Sequence, residues 1–146
     1  MYTTVCVLLS LFVSVELAAN DKIYIFPKTL PQDIIDSWLE LYNPIFTQCV
    51  AESGVNAHVA YVSIQKIEIA NDPRLKCFFK CLFVNLNILE EYSGNFNADE
   101  MSRQINGFDD TVFSKCNEEV KNETDLCKKS LDMYLCHIYY LKHLLL

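Results

Sequence analysis

From Pro31 onward the apolar positions Ile34, Ile35, Trp38, Leu41, Tyr42, Ile45, Phe46 and Cys49 recur at three- and four-residue intervals. That is the period of a helix with one buried face. Pro44 interrupts the run, so a kink or break is expected near Asn43, and Gly54 stands where a left-handed residue would stop the second piece. Between Ala57 and Ala70 two periods compete. Ala60, Ile64 and Ile67 fit a helix, whereas Val62, Ile64, Ile67 and Ile69 also fit the alternation of β-branched residues in a strand. The helix is the expectation, because a lone strand would have no visible partner.

Asp72-Pro73 opens the next element. The aspartate can cap free N–H groups, and proline suits the first helical position, where no N–H is needed. A helix is predicted from Pro73 to about Glu91, with Leu75, Phe78, Phe79, Leu82, Phe83, Leu86 and Leu89 on a broad face meant for burial. Ser93-Gly94 should end it. Asn97 with Glu100 resembles a capping box for a short helix that reaches Asn106 and stops at Gly107. Asp109-Asp110 can cap a helix over Thr111 to Lys121, and Asp125 can cap the last one, from Leu126 onward. The chain reads as all-α and as one domain, without repeats or linkers. Three glycines among 146 residues are too few for the tight turns of a small β-rich protein.

Charge and the N-terminus change the picture in two ways. A net charge of −7, with no basic stripe, argues against nucleic acid as a partner. The apolar run from Val5 to Val15 is too short to cross a bilayer and right for the core of a secretory signal, with the cut expected after Ala19. Residues 1–19 are therefore read as a signal peptide, residues 20–146 as the mature domain, and the compartment as extracellular. Of seven cysteines, Cys6 lies in the signal, which leaves an even six for an oxidising environment.

Helical geometry restricts how those six pair. Cys77 and Cys81 sit one turn apart on one helix, with Cβ atoms roughly 5–6 Å apart, too far for a bridge. Cys127 and Cys136 lie on opposite faces of the last helix, about 13.5 Å apart in rise. Each exclusion removes three of the fifteen pairings and the two share one, so ten remain. The third helix is thus expected to be tied to two different segments.

The spacing Cys49-x27-Cys77-x3-Cys81-x34-Cys116-x10-Cys127-x8-Cys136 resembles the six-cysteine signature of the insect odorant-binding protein family, the general odorant- and pheromone-binding proteins. Leu75-Lys76-Cys77 and Lys80-Cys81-Leu82-Phe83 are similar to that family's local motif. The resemblance covers nearly the whole mature chain. It implies about six helices around an internal apolar cavity, stapled by three disulfides paired Cys49–Cys81, Cys77–Cys127 and Cys116–Cys136.

It also implies that the fourth to sixth helices supply pocket walls. Candidate ligand-binding residues there are Met101, Ile105, Val112, Phe113, Tyr134, His137, Ile138 and Leu141, and Tyr134 and His137 are the polar contacts among them. Plain core packing competes with pocket lining at each position. Met101 is the best single choice among the apolar ones, since a flexible thioether adapts to varied guests. The tail Leu144-Leu145-Leu146 lies beyond the last cysteine, and Leu146 is expected to help close the cavity; a frayed end or a dimer contact is the competing account. His137 and His143 flank this tail and are expected to charge near pH 6, which would favour ligand release in acid. Asn122-Glu123-Thr124 is an N-glycosylation sequon in the loop before the last helix.

No G-x-S-x-G or H-E-x-x-H motif is present, and His58, His137 and His143 lack metal-ligand spacing with a spare cysteine. No enzyme, metal or cofactor is expected. The leading reading is a secreted carrier of small hydrophobic molecules such as odorants or pheromones, with a membrane receptor as a further partner and the choice of monomer or homodimer open. Two alternatives stand beside it. One is a scavenger of lipids or host amines on the same fold. The other is a disulfide-stapled effector or inhibitor that acts through its surface.

Overall fold

The computed structural model describes Tyr24–Ile25 and residues 30–144. The expected signal (residues 1–19) and Leu146 lie outside the described residues. Within them run β1 (Tyr24–Ile25), α1 (Gln32–Ser53), α2 (Ala57–Gln65), β2 (Glu68–Ile69), α3 (Pro73–Asn85), α4 (Ala98–Gln104), α5 (Asp110–Val120) and α6 (Leu126–Leu144). The fold is all-α, as its sequence pattern predicts, with three disulfides.

α3 is the central element, packed chiefly on α6 and α1. Leu75, Phe78, Phe79 and Leu82 are sealed from solvent. Asp72 caps the helix by accepting from the Arg74 N–H at 2.9 Å, and Pro73 occupies its first position. The bridges Cys49–Cys81 and Cys77–Cys127 tie α3 to α1 and to the head of α6, and Cys116–Cys136 ties α5 to α6. This is one of the ten pairings that helical geometry leaves open.

Three expectations about element boundaries are corrected. α1 does not break near Asn43; it continues through Pro44 to Ser53 and stops at Gly54, which is left-handed (φ 70°). Glu40, whose carbonyl Pro44 cannot serve, and Pro44 itself are both exposed, so water can meet the lost bond. The helix expected over 57–70 ends at Gln65. Glu68–Ile69 is a strand after all, paired antiparallel with Tyr24–Ile25, a partner more than forty residues back in the chain. α3 ends at Asn85, short of Glu91. Asn87 takes a left-handed φ of 57°, the Ile88 N–H donates to the Phe83 carbonyl at 2.8 Å, and the Asn87 N–H donates to the Val84 carbonyl at 3.0 Å. This is a Schellman stop with asparagine in the glycine position. Ile88, fully buried, supplies its apolar contact.

The chain then doubles back. Leu89 bridges to Phe96, and the buried Lys129 of α6 donates to the Gly94 carbonyl at 2.6 Å. Asn97 caps α4 by accepting from the Glu100 N–H at 3.1 Å. The reciprocal half of the capping box is absent: the Glu100 carboxylate instead accepts from Arg103 and Gln104, each at 2.6 Å. The Asn97 N–H donates to the Ile88 carbonyl. Asp109 and Asp125 cap α5 and α6, accepting from Val112 and Cys127 N–H groups at 2.8 and 2.9 Å.

Candidate functional site

Tyr134 and His137 stand three residues apart on α6 and therefore on one face, with Leu141 a turn further on. That face meets Trp38 of α1, whose ring lies 5.9 Å from Tyr134 and 5.2 Å from His137 between centroids. Phe79 of α3 stacks on Tyr134 at 4.3 Å, and Phe108, from the loop between α4 and α5, tilts over His137 at 4.5 Å. The result is an aromatic centre drawn from four separate segments. Gly107 lets that loop lie close on α6: its φ is +83°, and a Cβ there would stand 2.8 Å from a Leu141 methyl.

The polar atoms of this centre are treated unequally. The Tyr134 hydroxyl donates to the Ser63 carbonyl of α2 at 3.0 Å, and the Trp38 indole N–H donates to the Asn106 carbonyl at 3.0 Å. His137, 2% exposed, has no partner for its Nε2 among the described residues. Burial pushes the imidazole pKa down to about 4. A hydrogen bond with the Gly107 backbone and the Asp109 charge pull the other way without outweighing burial. The expectation that His137 charges near pH 6 is therefore corrected: the ring has been taken out of water and stays neutral. Burial likewise pushes the Tyr134 phenol well above its ordinary range, with Tyr42 adding to the effect.

The other candidates fall around this centre. Met101, Ile105, Val112, Ile138 and Leu141 are buried in the same continuous core. Phe113 is half-buried at its edge, with its ring 6.4 Å from Phe108. Three concavities formed by described residues lie elsewhere and are lined by none of these side chains. One, of 320 Å³, opens between α1 and α2, where Leu39, Phe46 and Tyr61 surround the core residues Tyr42 and Ile64. Trp38, Phe79, Gly107 and Phe108 belong to the centre although sequence reasoning did not place them there. Trp38 had a signal, as the chain's single tryptophan on an apolar helical stripe. Phe108 had none, since it lies in a loop between glycine and aspartates.

Among the described residues no group of three or more His, Cys, Asp or Glu side chains could hold a metal ion, and no helix is long and apolar enough to cross a membrane. Six helices laced by three disulfides over a sealed aromatic interior define a small, disulfide-bridged, all-α domain. The model of the PBP/GOBP family matches residues 33–139, and the chain belongs to that family, the insect odorant- and pheromone-binding proteins. Its members are binding and carrier proteins and not enzymes. No curated protein and no solved structure matches the chain.

Proposed function

We propose that this protein is a secreted, non-enzymatic carrier that takes small hydrophobic molecules, odorants or pheromones, into the interior between α1 and the α4–α6 region. Family membership over residues 33–139 carries this reading. The aromatic centre at Tyr134 and His137 supports it, because ligand sites combine apolar walls with a few orienting polar groups. Met101, Ile105, Val112, Phe113, Ile138 and Leu141 are the proposed walls, and Leu146 a part of the closure. Binding is non-covalent. Apolar burial supplies about 25 cal/mol per Å² before the costs of association.

Residues 1–19 direct export and are cut away in the process, which leaves Asn20 as the mature N-terminus. The sequon residue Asn122 is exposed in the turn between α5 and α6, where a glycan would meet no core contact. Fluorescence of N-phenyl-1-naphthylamine tests the carrier reading directly. A saturable blue shift, reversed by small apolar competitors, is expected. A probe that stays in water at micromolar protein would overturn the reading. Deleting Leu144 to Leu146 should weaken the probe's binding, and unchanged affinity would remove the tail from the site.

A further inference from the structure

The 320 Å³ concavity between α1 and α2 lies outside the proposed ligand interior, and none of the wall residues assigned to that interior lines it. Its volume falls at the small end of the range for ligand pockets, about 300–1,000 Å³. Tyr42 and Ile64, 1% and 0% exposed, form its floor. Leu39 and Phe46 of α1 and the exposed Tyr61 of α2 rise around them, so three of its apolar surfaces are aromatic rings. The α1 members recur at three- and four-residue intervals and therefore share one face of that helix. Glu40 and Asn43, both exposed, are the polar residues of the groove. Glu40 brings two acceptors without partners of the usual kind. Its carboxylate is in no ion pair with a described residue. Its carbonyl lacks a helical donor, because Pro44 has no N–H to offer.

That combination selects among guests. Among the described residues no lysine, arginine or histidine lines the groove, so a carboxylate or phosphate would meet Glu40 with no cation to offset the repulsion. A plain hydrocarbon would gain nothing from the Glu40 acceptors. A primary ammonium group carries the opposite charge and only donates hydrogen bonds. A cation is also drawn to the face of an aromatic ring within about 6 Å. The chain's net charge of −7 adds a long-range attraction for cations. We propose that the groove between α1 and α2 is a separate binding site for a small primary amine in its ammonium form, with its charge at Glu40 and its hydrocarbon body against Tyr42, Phe46 and Tyr61. The charge stays at the solvent-facing rim, where it keeps much of its hydration, and only the hydrocarbon leaves water. This site goes beyond the carrier reading and does not depend on it.

The test titrates the disulfide-bonded protein, ¹³C-labelled at its leucine and isoleucine methyls, with 2-phenylethylamine and with 2-phenylethanol, which has the same shape without the charge. The Leu39 and Ile64 methyl resonances should shift saturably with the amine. The amine should bind about tenfold more tightly than the alcohol, the scale of one exposed ion pair together with one cation–π contact. In Glu40→Gln, a change at an exposed position, that preference should fall to within about twofold while the alcohol is unaffected. The same variant should bind N-phenyl-1-naphthylamine as the unaltered protein does. No saturable shift at Leu39 and Ile64, equal affinity for the two compounds, an unchanged preference in Glu40→Gln, or shifts confined to interior residues such as Ile138 would each overturn the amine site and leave the carrier reading standing. Failure of N-phenyl-1-naphthylamine to bind the unaltered protein overturns the carrier reading alone.

Discussion

His137 sets a pH dependence whose sign follows from its burial. In the unfolded chain the imidazole titrates near its ordinary value of about 6.5. In the folded chain it titrates at about 4. Between these values the unfolded state binds the extra proton, so stability rises with pH through this window and is fully restored above about 6.5. The span corresponds to roughly 3 kcal/mol. Urea titrations at pH 4.5 and pH 7 should show the loss in the wild-type protein and much less of it in His137→Phe, provided that variant folds; equal losses in the two would assign the acid sensitivity to other groups. Ligand affinity should not respond to titration of His137 between pH 7 and pH 5, because the ring stays neutral throughout. Gly107 gives a second prediction at this scale. Alanine there must hold φ near +83° and place a methyl 2.8 Å from a flexible Leu141 side chain. A loss of about 1–3 kcal/mol is expected on urea denaturation, mostly backbone strain. A loss below about 0.5 kcal/mol would mean that the loop relaxes freely off α6.

At the scale of elements, α1 is the informative case, because it carries a proline through 22 residues without ending. A proline inside a helix forgoes one hydrogen bond and crowds the preceding turn, at about 3 kcal/mol in a helix interior. Here both Pro44 and Glu40 face solvent, which reduces that cost. Pro44→Ala should therefore stabilise the protein by about 1–2 kcal/mol, a gain readable as a raised urea midpoint with unchanged slope. Unchanged or lowered stability would indicate that the bend or stiffness Pro44 imparts is needed for α1 to meet α3. The other helices show what the chain made legible. Caps are local chemistry, so Asp72, Asn97, Asp109 and Asp125 announced their helices within three residues. The stop of α3 was not legible. It depends on Asn87 adopting a left-handed φ and on Ile88 being buried, whereas the apolar period itself runs on through Leu89. The pairing of Glu68–Ile69 was hidden for another reason: its partner, Tyr24–Ile25, lies across two helices of sequence. The site divides in the same way. Tyr134 and His137 share a helical face that spacing reveals, but Trp38, Phe79 and Phe108 reach them only through tertiary packing.

Over the whole molecule the three disulfides interlock. Cys77 lies inside the loop closed by Cys49–Cys81, and Cys116 lies inside the loop closed by Cys77–Cys127, so the bridges form one chain of ties from α1 through α3 and α6 to α5. The middle tie differs from the outer two. Without Cys77–Cys127, α1 and α3 remain joined to each other and α5 and α6 to each other, but beyond the backbone itself the two pairs are held by non-covalent contacts, chiefly the packing of α3 on α6. The aromatic centre straddles that division, with Trp38 and Phe79 on one side and Tyr134 and His137 on the other. The middle bridge also spans the most chain, a separation of 50 residues against 32 and 20. The chain-entropy relation then assigns it about 4 kcal/mol and the shortest, Cys116–Cys136, about 3 kcal/mol. The paired substitution Cys77→Ser/Cys127→Ser should accordingly lower stability more than Cys116→Ser/Cys136→Ser, and it alone should weaken probe binding by more than the stability change explains, because the two walls of the site are then free to part. Urea titration and probe affinity on the two double variants read both quantities. If the middle bridge proves no more costly than the short one, and affinity is unchanged, then the apolar contact between α3 and α6 suffices to hold the two halves in register, and the disulfide there is a brace against unfolding with no part in shaping the site.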